Sequence, residues 1–448
     1  AFFPSVSAGW RISEEPFWRV NEQIFSDMKV RASYGSLGNG NVDPYSFLEL
    51  LSIKTSDRVL NGALNKYTSA PAVMPSGLTW ETATTTDVGL DFGMLNSRFR
   101  FSGDYYIRKT TDMYTVGKTL PEIFGAASPK GNYADMTTKG WEITLTWRDH
   151  FELASKPFNY EIKGTLSDYI STIDRYNNEN KYLDDYYEGM RVGEIWGYET
   201  EGLFKDQADI DNHATQKLIK SSSKNIWYPG DVKLKDQDGN GAIDYGTNRV
   251  DDHGDLKVIG NSLPRFAYSI NLSGDWNNFF ISAFFQGVGK QDWYPSSECI
   301  FWGQYNRPYN NLPTWHVDNY WTEDNQGAYL PRYAGYNTSI RDTKQTRYLQ
   351  NVAYIRLKNL QFGYTLPKQW ISKIMLQNAR VYISAENLWC WSPLYKHTRD
   401  LDVTNIYGSD PDLTDADMKS GLNGKRGSGD GNSYPQMRSV SLGVSVTF

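Results

Sequence analysis

The chain closes on RSVSLGVSVTF, and the order of those residues restricts the possible folds more than any other stretch. Val440, Leu442, Val444, Val446 and Phe448 alternate without a break with Ser439, Ser441, Gly443, Ser445 and Thr447. Successive side chains of a strand point to opposite faces. A period of two therefore means a β-strand with one edge wholly apolar and the other made of small hydroxyls and glycine.

The pattern recurs upstream. Val6, Ala8, Trp10 and Ile12 alternate with Ser5, Ser7, Gly9, Arg11 and Ser13, and Met28, Val30, Ala32 and Tyr34 alternate with Lys29, Arg31, Ser33 and Gly35. Val88, Leu90 and Phe92 form a further run, and Phe99, Phe101, Tyr105 and Ile107 another, with Asn96-Ser97 in the tight turn between them. Similar runs cover 141–147, 158–167, 266–275, 279–287, 352–364 and 380–388. The total is about eleven segments, most near the ~10-residue length of a tilted membrane strand.

Connection lengths separate the architectures that such strands can build. Long connections, at 38–83, 108–138, 169–265, 288–351 and 389–438, alternate with short ones at 14–27, 94–97, 149–157, 276–277 and 365–378. A sandwich has no reason to do this, whereas an outer-membrane barrel has short turns at one end and long loops at the other. The expected fold is all-β: a transmembrane antiparallel β-barrel with long extracellular loops. Single helical turns are expected within two short connections, at Pro16 to Phe25 and at Lys368 to Leu376.

Half-buried strands of a soluble β protein also alternate apolar with polar residues. Two details favour the barrel. Arg98, Arg100, Glu142, Glu161, Lys163, Arg380 and Glu386 fall at mid-strand on polar faces, which suits a wide aqueous lumen. Trp10, Tyr34, Trp141, Trp147, Trp276 and Trp389 fall toward strand ends, where aromatic girdles meet the membrane surfaces.

Composition sets outer bounds. Mean hydropathy is -0.59, and no apolar run approaches the ~20 residues of a spanning helix. Any membrane crossing must therefore use strands. Aromatics reach 15%, with 31 Tyr and 15 Trp, an excess shared by membrane-interface and carbohydrate-binding proteins. A formal charge of -6 without a basic stripe argues against a nucleic-acid partner. Cys299 and Cys390 are too few for a disulfide framework and lack zinc-ligand spacing, although they could form one disulfide. The start AFFPSVSAGW carries no basic or apolar signal region, so an exported protein of this sequence would be processed or truncated.

Eleven alternating strands make the first and last run the same way. A complete bacterial barrel has an even number of strands, so the sequence is expected to be the C-terminal part of a larger protein.

The stretch YPGDVKLKDQDGNGAIDYGTNRVDD, with the following VIGNSLPRFAYSINLSGDWNNFFISAFFQGVGKQDWY, resembles the SusC/RagA family of TonB-dependent outer-membrane transporters. So do FFPSVSAGWRISEE, DMKVRASYGSLGN, TTTDVGLDFGML and the terminal SVSLGVSVTF. These landmarks span nearly the whole chain in the family's order. The resemblance implies the C-terminal half of a 22-stranded barrel, preceded in the family by a plug and a TonB-interacting segment. Neither plug nor TonB box is visible in this sequence. It also implies a SusD-like surface lipoprotein as lid, TonB-ExbB-ExbD as energy source through parts missing here, and glycan oligosaccharides or peptides as substrate. Outer-membrane lipid is the surrounding medium. A passive porin and a soluble glycan-binding protein are the competing readings.

The sharpest local motif is Asp236-Gln237-Asp238-Gly239-Asn240-Gly241-Ala242-Ile243-Asp244. Oxygen donors at Asp236, Asp238, Asn240 and Asp244, the Ala242 carbonyl and Gly241 match the first nine positions of an EF-hand Ca²⁺ loop. Thr247 stands where a bidentate Glu is required, so Asp251 or Asp252 would have to fold back. A solvated Asp/Asn/Gly turn explains the same composition. No cofactor is required, and Ca²⁺ is the one candidate ion.

Catalysis has no visible nucleus. His150, His213, His253, His316 and His397 are scattered, there is no HExxH or GxSxG, and Gly35, Gly38 and Gly40 lack phosphate-loop spacing. Trp293, Tyr294, Trp302, Tyr305, Trp315 and Trp321 make the densest loop aromatic cluster and are candidates for contact with ligand or lid; loop core is the competing assignment. Phe448, a terminal aromatic on an alternating strand, is the expected barrel-assembly signal, with a girdle residue as the plainer reading.

Overall fold

The computed structural model describes residues 2–21, 23–40, 48, 51–69, 77–117, 123, 128–216, 226–297, 299–372, 375–404, 406 and 436–448. Eleven strands form one antiparallel sheet in strict chain order. They are β1 (Ser5–Arg11), β2 (Phe25–Asn39), β3 (Glu81–Met94), β4 (Phe99–Val116), β5 (Lys130–Leu153), β6 (Lys156–Arg175), β7 (Arg265–Trp276), β8 (Phe279–Lys290), β9 (Tyr354–Thr365), β10 (Asn378–Trp391) and β11 (Ser439–Thr447). Every neighbour in the sheet is a neighbour in sequence, and β1 and β11 at its two edges run in the same direction, as an odd antiparallel count requires. Among the described residues no helix is long and apolar enough to cross a membrane.

Turn chemistry fixes the register at the short-turn end. Asn277 and Asn278 join β7 to β8 with φ of 46° and 69°, and Ala154 and Ser155 join β5 to β6 with φ of 50° and 61°. Two consecutive left-handed residues are the signature of the hairpin turn whose twist matches that of the strands. Asn tolerates this conformation far better than Ala or Ser.

Several expected boundaries are corrected. Strands β4 and β5 run on past the anticipated ends, so the 108–138 connection shrinks to 117–129, of which 118–122 and 124–127 lie outside the described residues. The connection is then about as long as the short ones at 12–24 and 366–377. Arg98 belongs to the turn before β4 rather than to mid-strand. The expected helical turn at Pro16 to Phe25 is replaced by a 3-10 turn at Ile12–Glu14, while the other is present as a short helix at Lys368–Ile371, with 373–374 outside the described residues. Parts of the 38–83 and 389–438 connections (41–47, 49–50, 70–76, 405 and 407–435) also lie outside them. The described part of the first carries a hairpin of Ile53–Leu60 with Ala63–Thr68.

At the opposite end the described parts of the connections 176–264, 291–353 and 392–406 fold together. They contribute short two-stranded sheets, among them Thr200–Leu203 with Val232–Leu234 and Glu194–Gly197 with Lys257–Asn261. They also supply most of the buried hydrophobic residues among those described. The molecule is thus a wall with a folded cap at one end.

Candidate functional site

Cross-strand partners share a face, so the register traces each face of the wall from strand to strand. One apolar row runs Leu442, Ile383, Phe362, Ile281, and a parallel one runs Leu272, Ile162, Trp147, Phe99. Among the described residues nothing packs against this face: Val440, Leu442 and Val444 are 69%, 76% and 66% exposed. No second sheet or helix layer covers it among the described residues. An uncovered apolar face of this extent on a soluble monomer would be a severe aggregation liability, whereas hydrocarbon satisfies it.

Aromatic rings edge this face at the short-turn end. Trp18, Phe25, Phe92, Phe99 and Trp147 touch in sequence with ring centroids 6.1 to 6.5 Å apart, and Phe151 meets Phe158 at 5.0 Å. Trp141 lies ten residues before Phe151 on β5, roughly 33 Å along a strand and about 25 Å after a tilt near 40°, the height of a membrane-barrel apolar band. Trp141 and its partner Tyr105 therefore mark the upper boundary although both are mid-strand. Beyond them the outward face turns polar at Lys139 and Thr137 while the ladder continues.

The other face is polar from β1 to β11. Arg31 is its most connected charge: Nε donates to Asp91 Oδ2 at 2.9 Å and Nη2 to Asp104 Oδ2 at 2.7 Å. Ser102 Oγ donates to Asp91 Oδ1 at 2.6 Å. A Cβ on Gly89 would sit 2.5 Å from Asp104 Oδ1 and 2.6 Å from Arg31 Cζ, so glycine is what lets this cluster lie flat on the sheet. The registers place Arg100, Glu142, Glu161, Lys163, Arg380 and Glu386 on the same face, and Arg148 pairs with Glu161 there. Tyr382 lies across Gly443, the glycine of the closing strand.

The cap has a different chemistry. Trp293, Trp302 and Tyr305 are almost completely buried, Trp321 is buried, and Tyr294 and Trp315 pack against the same core. Trp302 meets Tyr348 edge-on at 5.7 Å, and its Nε1 donates to the Ser296 carbonyl at 2.9 Å. Tyr305 stacks on Tyr333 at 4.6 Å. These six residues are loop core, not an exposed stacking platform: they anchor long, largely irregular connections.

Buried polar groups complete the cap. Asp231 pairs with Arg332 at 2.7 Å and accepts the Tyr228 N–H at 3.0 Å. Burial pushes its carboxyl above the ordinary range, and the Arg332 charge offsets this only in part. His316 is fully buried, its Nε2 2.9 Å from the Phe301 carbonyl and its Nδ1 3.1 Å from the Tyr333 hydroxyl. The neutral tautomer with the proton on Nε2 satisfies both contacts, and burial lowers the imidazole to about 4. None of this was visible in the scattered histidines of the sequence.

The Asp-rich loop closes on itself. Both Asp236 carboxylate oxygens accept backbone N–H groups, from Gly239 at 2.7 Å and Gly241 at 2.9 Å. Despite an opposing desolvation effect, these and neighbouring hydrogen bonds hold its carboxyl below the ordinary range. Asp238 accepts from Asn240 N, Asn240 Oδ1 accepts from Ala242 N, and Asp244 Oδ1 accepts from Gly246 N. Neither Asp251, which pairs with Arg249, nor Asp252, which accepts from Thr247, folds back onto Asp236 and Asp238. The carboxylate that the fold does bring to the loop is the fully buried Asp255: Asp236, Asp238 and Asp255 have carboxylate oxygens within 4.8 Å of one another. Asp255 also accepts from Gln237 N and Asp244 N at 2.6 and 2.8 Å, which fixes it beneath the loop. Such an oxygen donor set fits a hard divalent cation.

A sheet with one hydrocarbon-facing side, one polar side, and long connections gathered at one end defines an outer-membrane β-barrel wall. A family model described as TonB dependent receptor-like, beta-barrel, matches residues 1–388, and the chain belongs to that family. Across its whole length the chain is 29% identical to TonB-dependent receptor P3 of Formosa agariphila and 24% identical to TonB-dependent receptor SusC of Bacteroides thetaiotaomicron, covering 42% and 40% of those proteins. It superposes on the RagAB peptide importer in its open-open state with a TM-score of 0.67 at 18% identity, over 100% of this chain and 43% of that one. The chain thus spans about two fifths of the length of the relatives it matches. Proteins of this SusC/RagA type reside in the outer membrane.

Proposed function

We propose that the chain forms the C-terminal half of the wall and part of the extracellular cap of a TonB-dependent transporter that imports glycan oligosaccharides or peptides. The observation that carries this reading is the wall itself: one uncovered apolar face and one continuous polar face across eleven strands, matched to the TonB-dependent receptor barrel. The polar face lines the lumen, and the described parts of the long connections at 40–80, 176–264, 291–353 and 392–438 lie outside the cell. A SusD-like lipoprotein covers the cap, and TonB-ExbB-ExbD supplies energy through parts of the protein beyond this chain. The likeness to SusC and to the RagAB importer supports this division of labour.

Uptake separates this reading from a passive porin. In cells carrying the full-length protein, accumulation of a fluorescent oligosaccharide or peptide pool should stop when TonB is depleted or a protonophore is added. Accumulation that continues unchanged would favour the porin. Phe448 continues the apolar parity of β11 and is 80% exposed, in keeping with an assembly signal; a Phe448→Ser protein should reach the membrane in reduced amount.

The loop of Asp236, Asp238, Asn240, Ala242 and Asp244, completed by Asp255, is assigned to Ca²⁺. Binding would cross-link it to the buried Asp255 and stiffen this part of the cap. Calcium titration should protect the loop from proteolysis, and Asp255→Asn should abolish that protection. Absence of protection at millimolar Ca²⁺ would remove the assignment.

A further inference from the structure

At the cap end of the polar face, two adjacent β-bulges disturb the wall. The β8–β9 register shifts between Phe284 and Phe285, and the β9–β10 register shifts between Leu357 and Asn359. Bulges at barrel rims re-aim side chains and commonly border functional sites. Asn387 sits in the second one with φ of 53°, a left-handed conformation that asparagine tolerates.

A cavity opens beside this distortion, lined by Arg356, Arg399 and Arg438 together with Asn387, Cys390 and Asp402. Its charges are unbalanced. Asp402 is its one carboxylate, and that group is already engaged: Oδ1 takes Arg356 Nη2 at 2.6 Å and Thr404 Oγ1 at 2.7 Å, and Oδ2 takes Gln436 N at 3.0 Å. Arg399 only rests on the Tyr395 ring at 5.3 Å. Among the described residues neither Arg399 nor Arg438 makes an ion pair, and both are exposed. Arg356 is 3% exposed, yet its Nε has no hydrogen-bond partner. Asn387 donates to the Met437 carbonyl while its own Oδ1 is buried without a partner. Buried polar groups are normally satisfied, and two orphans around one cavity point to a missing ligand or ordered water.

We propose that this cavity is a substrate subsite for an oxyanion, a carboxylate or sulfate carried by the imported molecule, with an adjacent hydroxyl or amide donor directed at Asn387. Arg399 and Arg438 hold the anion at the mouth of the lumen, and buried Arg356 supplies a fixed charge beneath it. The assignment rests on the reading of the polar face as the transport path, and it predicts acidic glycans or free-carboxylate peptides over neutral ligands.

The test is binding by the full-length protein in detergent, which needs no energy source and is therefore independent of whether uptake is TonB-driven. Tetragalacturonate is compared with maltotetraose, and tetraglycine with its C-terminal amide, by titration calorimetry. At least one acidic probe should bind better than its neutral counterpart. Replacing both exposed arginines, Arg399→Ala with Arg438→Ala, should weaken that probe about tenfold, the loss of roughly one charged hydrogen bond. Preference for the uronate assigns the anion to a glycan, and preference for tetraglycine assigns it to a peptide. Equal binding of acidic and neutral probes, or binding of the acidic probe that survives the double substitution in a protein that still shows heat-modifiable gel mobility, overturns the proposal. Binding that behaves as predicted while uptake ignores TonB would instead refute the import reading alone.

Discussion

The wall and the cap of this protein hold their shapes by opposite means. In the wall every strand pairs with its chain neighbours, apolar side chains point away from the protein, and the backbone ladder satisfies each strand between the two edges without any interior core. In the cap the backbone is irregular, and order comes from buried rings such as Trp302 and Tyr305 and from buried pairs such as Asp231 with Arg332. The contrast teaches where solvent ends: the wall uses lipid as its second layer, whereas the cap, standing in water, must build its own.

Removing a ring should separate the two most sharply. Trp302→Ala leaves a cavity at a fully buried aromatic and is expected to destabilise the cap by about 3–5 kcal/mol. Limited proteolysis should then cut within 291–353 while the wall keeps its heat-modifiable mobility. Loss of both together would show that wall and cap unfold as one unit.

A charge on the lipid face is the converse change. Val444→Arg should cost roughly 2–4 kcal/mol if this position lies near the bilayer midplane, whereas Ser445→Arg on the polar side should cost little. Urea unfolding of the full-length protein in lipid vesicles measures both. Equal costs would contradict the two-faced wall.

Acid should distinguish the regions as well. Burial keeps the folded-state imidazole of His316 at about 4, below the ordinary value of 6.5. Its contribution to stability is therefore fully present above about pH 6.5 and is lost as pH falls toward 4. At pH 5 the cap should have lost about 2 kcal/mol from this residue alone, a loss that His316→Gln should remove. Hydrogen exchange of cap amides against wall amides across this range checks it.

The smallest expected effect is a gain. Ser155 holds φ of 61° in a two-residue turn, and Ser155→Gly should stabilise the β5–β6 hairpin by about 0.5–1 kcal/mol. A loss of stability would mean that the serine hydroxyl contributes more to this turn than its backbone strain costs.

The same contrast explains what the sequence made legible. Period-two alternation found all eleven wall strands because a lipid-facing residue declares itself locally, without knowledge of what it touches. Strand ends were misjudged where that cue stops before the hydrogen bonds do: β5 continues through Lys139 and Thr137 because pairing with β4 needs backbone, not hydrophobicity. The cap was opaque for a related reason. An aromatic in a long loop has one composition whether it stacks on a sugar or fills a core, and only packing between residues distant in sequence, such as Tyr329 on His397 at 4.5 Å, decides which. Asp255 escaped notice because a carboxylate cluster closed by chain folding has no fixed spacing, although an acidic residue following the DGNGAID run was the available hint. The rim arginines carried no local signal at all, since Arg356, Arg399 and Arg438 meet only through the fold.

The claim beneath all of this is that hydrocarbon touches one side of the wall and water the other. Nitroxide labels placed one at a time from residue 440 to 446 of the full-length protein in bilayers test it directly, through collision with oxygen and with a water-soluble nickel chelate. Labels at 440, 442, 444 and 446 should favour oxygen and those at 441, 443 and 445 the nickel chelate, in strict alternation. Uniform accessibility, or preference for the nickel chelate at the valine and leucine positions, would contradict the account.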